Sequence, residues 1–250
     1  MIIDIHGYFG EWPYWPLRNS HEAAILCHMD RLGISQLAVS SLRGIFSDPG
    51  GGNQEVIQLA RSHPDRFIPA LTYSPYAPGR ERYGEDFKDL PTGIVKLFPI
   101  QHTYDPLEET YIHELLTFCG EKQIPVMIPY RLMMSWRFPV FDLKKTGRLV
   151  ASFPEVRFIL ASINYLAELQ SALHIVKQYA NAYIETSGMM SFGGIETAVR
   201  QVGAERMLHG TCLPLQNPAI GPLKIRNASI SEDEKDMILY GNAQKLLGMK

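Results

Sequence analysis

The sequence is poor in cysteine. Its 250 residues include three, Cys27, Cys119 and Cys212, and none of them forms a Cys-x-x-Cys pair. An odd number of widely spaced cysteines argues against a disulfide framework, a zinc knuckle and a thiol-redox motif. We therefore expect a reduced, cytoplasmic protein.

An excess of charge and long apolar runs are also absent. The 24 basic and 26 acidic residues give a net charge of -2, which provides no electrostatic footprint for nucleic acid or an anionic membrane. No apolar run approaches membrane-spanning length, and the first residues, with Asp4 and His6, do not resemble a secretory signal. We expect a small-molecule ligand and neither nucleic-acid nor membrane partners, and leave a homo-oligomer open.

What the sequence does contain is an alternation of short β-rich runs with longer segments of helical period. Parallel strands need such crossovers, and eight strands predict an α/β fold, a distorted (β/α)8 TIM barrel, in one domain over 1–250. A capping pattern at Ser231 and Glu234 predicts a closing helix over 231–247, and 76–91 is predicted as a loop outside the barrel. The predicted strands are 1–5, 36–40, 66–73, 93–98, 124–128, 156–160, 182–185 and 206–210.

Polar residues at the ends of these strands are the candidate site residues, because such a barrel carries its chemistry at the C-terminal ends of its strands. Alternation along the first strand predicts that Asp4, His6 and Tyr8 share one face. Ser187 and Thr211 belong to the same rim. The residues we select as catalytic or substrate-binding are His6, Tyr8, Lys96, Arg131, Ser162, Glu185, His209 and Cys212.

Six segments resemble motifs of the amidohydrolase-related family, in the branch of the amidohydrolase superfamily that contains aminocarboxymuconate-semialdehyde decarboxylase-like enzymes. They are spread over the chain from end to end: MIIDIHGYFG, GIVKLFP, IPVMIPY, FPEVRFILAS, GAERMLHGTCLP and GNAQKLLG. The first resembles the family's Asp-x-His-x-His start, and the last resembles its terminal Gly-Asn-Ala-x-x-Leu-Leu-Gly. The resemblance implies the metal-dependent hydrolase barrel and a hydrolase or related lyase activity.

The same resemblance implies a divalent metal, usually zinc, at positions that this sequence has largely changed. The family places two histidines after strand one, a histidine after strand five, an assisting histidine after strand six and an aspartate after strand eight. Only His6 matches. The other positions hold Tyr8, Pro129, Ser162 and Cys212. Since proline offers no side-chain donor, we predict no metal site of the family type.

A remodelled zinc site is the alternative for a cofactor. It would combine His6 and Cys212 with His209 or His102, because imidazole and thiolate both suit zinc. His209 lies an odd number of positions from Cys212, so alternation at a strand end argues against its joining them.

Two hypotheses for function follow. The first is a hydrolase, or a C–C or C–O lyase, that acts on a small carboxylated molecule without the metal. His6 would be the general acid or base, Tyr8 a hydrogen-bond donor, and Lys96 or Arg131 the carboxylate anchor. The second is an inactive pseudoenzyme that binds a small ligand or a partner in the family's pocket.

Two side-chain predictions accompany these hypotheses. Lys96 should point into the barrel mouth and pair with Glu185 or Asp4, because an isolated buried ammonium is costly. Without a metal to bind, the His6 ring should hydrogen-bond to Tyr8, Cys212, a water or an anion, in an apolar-walled cavity.

Overall fold

The eight predicted strands form one parallel sheet whose order, β1 to β8, follows the chain. The computed structural model describes residues 1–14, 16–79, 83–86, 93–132 and 139–249. The predicted TIM barrel is therefore confirmed. The strands are β1 (Ile3–Phe9), β2 (Gln36–Ser41), β3 (Phe67–Tyr73), β4 (Ile94–Leu97), β5 (Val126–Pro129), β6 (Phe158–Ala161), β7 (Ala182–Glu185) and β8 (Met207–Leu208).

Helices occupy the connections between strands, as the alternation predicts. Three short helices were not predicted: α2 after β2, α4 within the predicted loop 76–91, and α9 after β8. The helices of the described residues are α1 (Glu22–Leu32), α2 (Leu42–Phe46), α3 (Pro49–Ser62), α4 (Tyr83–Asp86), α5 (Thr110–Lys122), α6 (Leu143–Ser152), α7 (Leu166–Gln178), α8 (Gly194–Val202), α9 (Ile220–Arg226), α10 (Glu232–Asp236) and α11 (Asn242–Leu247).

The segment after β8 closes the barrel against β1. The backbone N–H of Ile5 donates to the carbonyl of His209 at 3.0 Å, and that of Cys212 donates to the carbonyl of His6 at 2.8 Å. Tyr8 continues the same ladder by donating to Leu213 at 2.7 Å. This closure brings the C-terminal ends of β1 and β8 together.

Strand β1 is longer than predicted and is irregular. It continues to Phe9, and its register against β2 shifts between Asp4 and Gly7. The strand can continue through Gly7 because glycine has no Cβ. A Cβ at this position would lie only 2.6 Å from a methyl carbon of Leu37. This shift interrupts the simple alternation from which Asp4, His6 and Tyr8 were predicted to share one face. The side chains of His6 and Tyr8 nevertheless meet, with His6 Nε2 2.8 Å from the Tyr8 hydroxyl.

Two apolar layers fill the barrel, one at its base and one at its mouth. The base layer includes Ile3, Ile5 and Ile94 and is covered by Leu246 of α11. The mouth layer consists of Tyr8, Trp12, Leu42, Ile45, Phe98, Leu132 and Cys212. Lys96 lies along β4 between Ile94 of the base and Phe98 of the mouth. Polar side chains between these layers are therefore cut off from water.

The C-terminal tail confirms the predicted closing helix. Ser231 and Glu234 form the reciprocal capping box, and helical structure runs through α10, a π-helical turn at Met237–Gly241, and α11. Of the predicted loop 76–91, residues 76–79 and 83–86 are described and the remainder lies outside the described residues. None of the described helices has the length and apolarity that crossing a membrane requires.

Candidate active site

Five ionisable side chains from three strands meet between the two apolar layers. Asp4, His6 and Tyr8 come from β1, Lys96 comes from β4 and Glu185 ends β7, and all five are fully buried. We call this group the buried cluster. Because buried charges are costly unless they are paired, its internal contacts determine which members are ionised.

Three members of the buried cluster form a hydrogen-bonded relay. His6 Nε2 lies 2.8 Å from the Tyr8 hydroxyl, and His6 Nδ1 lies 3.3 Å from Oε1 of Glu185. Burial, followed by the nearby Lys96, lowers the pKa of His6, so the ring is neutral. A carboxylate only accepts, so this contact favours a proton on Nδ1, which also lies 3.5 Å from the Ser187 hydroxyl, and Nε2 then accepts from the Tyr8 hydroxyl. The predicted hydrogen bond between His6 and Tyr8 is confirmed.

Glu185 is held as a carboxylate by donors that surround it. Its oxygens accept from the backbone N–H of Ser162 at 2.5 Å, the backbone N–H of Ser187 at 2.5 Å and the Ser187 hydroxyl at 2.7 Å. Burial alone would raise the pKa of Glu185, but His6 and these donors outweigh it and lower the pKa to about 2. Ser162 presents its N–H from a left-handed conformation, with φ of 58°.

Lys96 points into the barrel, as predicted, but its predicted carboxylate partner was wrong. It forms an ion pair with neither Glu185 nor Asp4. Its Nζ donates to the carbonyl of Gly7 at 3.0 Å and lies 4.5 Å from the centre of the Tyr8 ring. Burial lowers the pKa of Lys96 to about 7. A carbonyl and a ring face compensate an ammonium less than a carboxylate does, which is consistent with this shift.

Asp4 ties the buried cluster to the segment after β8. Its carboxyl accepts from the backbone N–H groups of His6 and Thr211, at 3.0 and 3.1 Å, and from the Thr211 hydroxyl at 2.5 Å. Burial raises the pKa of Asp4 to about 7, and these hydrogen bonds oppose the rise. Asp4 therefore titrates in the same range as Lys96.

Arg131 lies apart from the buried cluster. It pairs with Glu168, and its guanidinium stacks 5.1 Å from the Tyr130 ring centre and 5.3 Å from that of Tyr165. Arg131 was predicted as an alternative carboxylate anchor, but its guanidinium is already paired with the carboxylate of Glu168. Lys96 is therefore the better placed of the two candidate anchors.

His209, Cys212 and Ser162 are buried, but their side chains make none of the relay's hydrogen bonds. The ring of His209 packs against Gly221 of α9, where an added Cβ would lie 2.9 Å from Cε1, and burial lowers its pKa to about 3. Within the described residues, neither ring nitrogen of His209 nor the Ser162 hydroxyl has a hydrogen-bond partner. The Cys212 thiol lies 3.8 Å from the carbonyl of Leu132, within the mouth layer.

Sequence reasoning missed two residues that hold Glu185 in place. A Cβ at Gly210 would lie 2.2 Å from Oε2 of Glu185, so only glycine fits there without displacement. Lys224 of α9 donates to the carbonyls of Thr186, Ser187 and Met189, and so fixes the turn that follows β7. The position of Gly210 at a strand end was a usable signal, whereas nothing in the sequence around Lys224 marks it.

The residues at the family's metal-ligand positions do not fit a divalent cation. Both ring nitrogens of His6 are engaged by Tyr8 and Glu185, and Pro129 has no donor. Burial raises the pKa of the Cys212 thiol, which opposes the thiolate that zinc requires. Among the described residues, no group of three or more His, Cys, Asp or Glu side chains could hold a metal.

The amidohydrolase family profile matches residues 46–249. The chain belongs to the amidohydrolase family. The match begins after the segment that carries His6 and Tyr8. No curated protein matches the chain.

Solved structures share the fold of this amidohydrolase chain at low sequence identity. 5-Carboxyvanillate decarboxylase from Sphingomonas paucimobilis is 16% identical with a TM-score of 0.73, covering 100% of this chain and 99% of that one. 4-Oxalomesaconate hydratase from Rhodopseudomonas palustris is 17% identical with a TM-score of 0.69, covering 99% and 96%. A dihydroxybenzoic acid decarboxylase from a Polaromonas species, with bound manganese and 2-nitroresorcinol, is 18% identical with a TM-score of 0.69, covering 98% and 96%.

Proposed function

We propose that the chain is a lyase or hydrolase that acts on a small carboxylated molecule by acid–base catalysis, without the family's metal site. The observation that supports this proposal is the relay of Tyr8, His6 and Glu185. A hydroxyl, an imidazole within hydrogen-bond reach and a carboxylate that orients the imidazole form the usual arrangement for moving a proton.

The relay moves a proton at the Tyr8 oxygen. Burial raises the pKa of Tyr8 well above its ordinary value, so the phenol is protonated. Its single O–H points to His6 Nε2 in the free site and turns to the substrate when the phenol acts as an acid. In the reverse direction, His6 Nε2 accepts the phenol's proton while the phenol oxygen takes one from the substrate. The ionised Glu185 then stabilises the imidazolium formed on His6, as a buried carboxylate does in other relays.

Lys96 supplies the group that engages the substrate's acid end. It is the cation of the buried cluster, 4.5 Å from the Tyr8 ring, so a carboxylate at its Nζ would lie beside the phenol. The names of the similar decarboxylases suggest a lyase reaction in particular. Decarboxylation replaces a carboxylate by a proton, and a protonated phenol beside a cation provides both the anchor and that proton.

The complete burial of the cluster favours a second candidate, the inactive pseudoenzyme. His6, Tyr8, Lys96 and Glu185 have no exposed surface, and the mouth layer, which includes Tyr8, packs above the other three. A substrate would have to displace part of this layer. If no substrate does so, the same contacts serve only to satisfy buried polar groups.

Turnover assays with a panel of hydroxybenzoates, oxo acids and small lactones test the proposal, using protein treated with a chelator. We expect carbon dioxide release, hydration or hydrolysis with at least one compound, and a fall of about 10²- to 10⁴-fold in kcat for Tyr8→Phe. Tyr240→Phe is the matched control, because that phenol bonds Asp236 on the surface of the tail. Binding without turnover across the panel would support the pseudoenzyme.

A further inference from the structure

Lys96 lacks the partners that a buried ammonium normally has. An ammonium carries three N–H donors, and the described residues offer Lys96 one hydrogen-bond acceptor, the carbonyl of Gly7 at 3.0 Å. Its other close neighbour is the face of the Tyr8 ring. A neutral amine has two N–H groups and a lone pair, so it loses fewer interactions in this environment than an ammonium does.

Lys224 provides a comparison within the same molecule. It is partly buried, and its Nζ donates to three carbonyls, those of Thr186, Ser187 and Met189. Three acceptors match the three protons of an ammonium, which leaves no lone pair for chemistry. Burial lowers the pKa of Lys224 to about 8 and that of Lys96 to about 7. The two lysines differ in burial, which is complete for Lys96 and partial for Lys224, and in how many of their protons are used.

We propose that Lys96 is an amine nucleophile that forms an imine with the ketone or aldehyde group of a small carboxylated substrate. This deepens the function proposed above by naming the substrate as an oxo acid, and by giving the neutral form of Lys96 the role of bonding the substrate's carbonyl carbon in place of anchoring its carboxylate. It rests on that proposal for the site. The nitrogen lone pair forms a C–N bond, the C–O bond breaks, and the carbonyl oxygen leaves as water. The two protons of that water come from the amine and from a general acid, which returns as the iminium loses its proton.

The surroundings of Lys96 suit each part of this step. The Tyr8 phenol, with His6 behind it, is a protonated acid for the departing oxygen. The apolar mouth layer limits water, which would hydrolyse the imine. While protonated, the iminium carries a positive charge. The ionised Glu185 lies in the same barrel interior and carries the opposite charge.

The same intermediate defines the substrate class more closely. A protonated imine accepts the electron pair of a C–CO₂⁻ bond on the neighbouring carbon, so a 3-oxo acid would lose carbon dioxide and leave an enamine. A proton from the relay then adds to that carbon, and water releases the ketone. No further oxidant or reductant is needed for this sequence.

Reductive trapping tests the proposal with the intact protein. Acetoacetate is added at pH 7 with sodium cyanoborohydride, and peptide mass spectrometry locates the secondary amine that reduction leaves on lysine. Surface lysines of ordinary pKa are neutral in about one molecule in 10³ at this pH. We expect Lys96 to be labelled well before them, Lys224 to remain unlabelled, and Lys96→Arg to lose the early label.

Each outcome decides one question. Labelling of Lys96 no faster than surface lysines in the wild-type protein would overturn the imine, and this measurement does not depend on whether Lys96→Arg folds. Turnover of the substrate panel without trapping would leave the acid–base function standing and reject the nucleophile. Trapping at Lys96 without turnover would establish the amine chemistry and reject catalysis of the proposed reactions.

Discussion

The ionisation of Glu185 is set by its neighbours rather than by its depth. It is fully buried, yet His6, Ser162 and Ser187 lower its pKa to about 2. A buried carboxylate held in this way keeps its charge throughout the neutral range. That charge fixes the N–H of His6 on Nδ1, and so presents Nε2 to Tyr8 as an acceptor.

Replacing Glu185 by glutamine tests this dependence. Glu185→Gln keeps the shape of the side chain but removes the charge that stabilises an imidazolium on His6. We expect kcat on any substrate found to fall by about 10²- to 10⁴-fold, with a smaller change in KM. The exposed Glu205→Gln is the control. Equal kcat for Glu185→Gln and the wild-type protein would show that no proton passes through His6.

The pH dependence of stability reports the charge of Lys96. Its pKa in the fold is about 7, below the ordinary 10.5. Between these values the unfolded chain binds a proton that the folded protein does not, so this residue adds stability as pH rises from 7 towards 10. We expect the free energy of unfolding of the wild-type protein to increase relative to Lys96→Met by up to about 1.4 kcal/mol per pH unit.

Urea denaturation of both proteins at several pH values in this range gives the difference directly. The sign is the essential result, because a lysine that stays ionised in the fold would give parallel curves. Parallel curves would also show that Lys96 is not a neutral amine, and imine formation requires a neutral amine.

At the scale of the element, β1 shows what sequence patterns could and could not predict. The apolar run at its start predicted a strand, and the polar residues that follow predicted a site there. The strand extends to Phe9 and shifts register between Asp4 and Gly7, where Gly7 closely approaches Leu37, thirty residues further along the sequence. Local alternation carries no information about such a contact.

Gly210, in the segment after β8, gives a prediction at this scale. In Gly210→Ala the new methyl group would lie 2.2 Å from Oε2 of Glu185 and 3.1 Å from Cβ of His6, so the carboxylate must move. We expect a loss of about 1–3 kcal/mol in the free energy of unfolding, as for other overpacked sites, together with lower kcat.

Gly147→Ala is the matched control for that variant. Gly147 lies within α6, where a Cβ would meet Ile175 at 3.4 Å, an ordinary contact. Alanine favours a helix over glycine by about 0.5–1 kcal/mol, so this variant should be as stable as the wild-type protein or more so, with unchanged kcat. Equal behaviour of the two variants would mean that the turn at Gly210 relaxes without moving Glu185.

For the whole molecule, the barrel followed from the sequence because its eight strands are short apolar runs separated by helical segments. The partners inside it did not follow as well. The hydrogen bond between His6 and Tyr8 was predicted because the two residues are close in the chain. The partner of Lys96 was predicted wrongly and Lys224 was missed, because both contacts join distant segments and depend on the orientation of backbone carbonyls.

Metal dependence involves several strands of the barrel, because the four ligands that the family resemblance implies follow β1, β5 and β8. Here Tyr8, Pro129 and Cys212 replace three of them, and the remaining His6 is held by its neighbours. A cation bound at a thousand times its Kd would stabilise the fold by about 4 kcal/mol. For a chain of this length that corresponds to roughly 8–16 °C in Tm.

We therefore expect neither zinc nor manganese to raise Tm measurably, and a chelator to change neither Tm nor kcat. Magnesium at the same concentration controls for the general effect of divalent salt. A rise in Tm with zinc that disappears in Cys212→Ala would contradict this expectation and establish the remodelled site of His6 and Cys212. A rise that persists in Cys212→Ala would place a metal elsewhere in the molecule, and the acid–base function would then have to be tested with that metal bound.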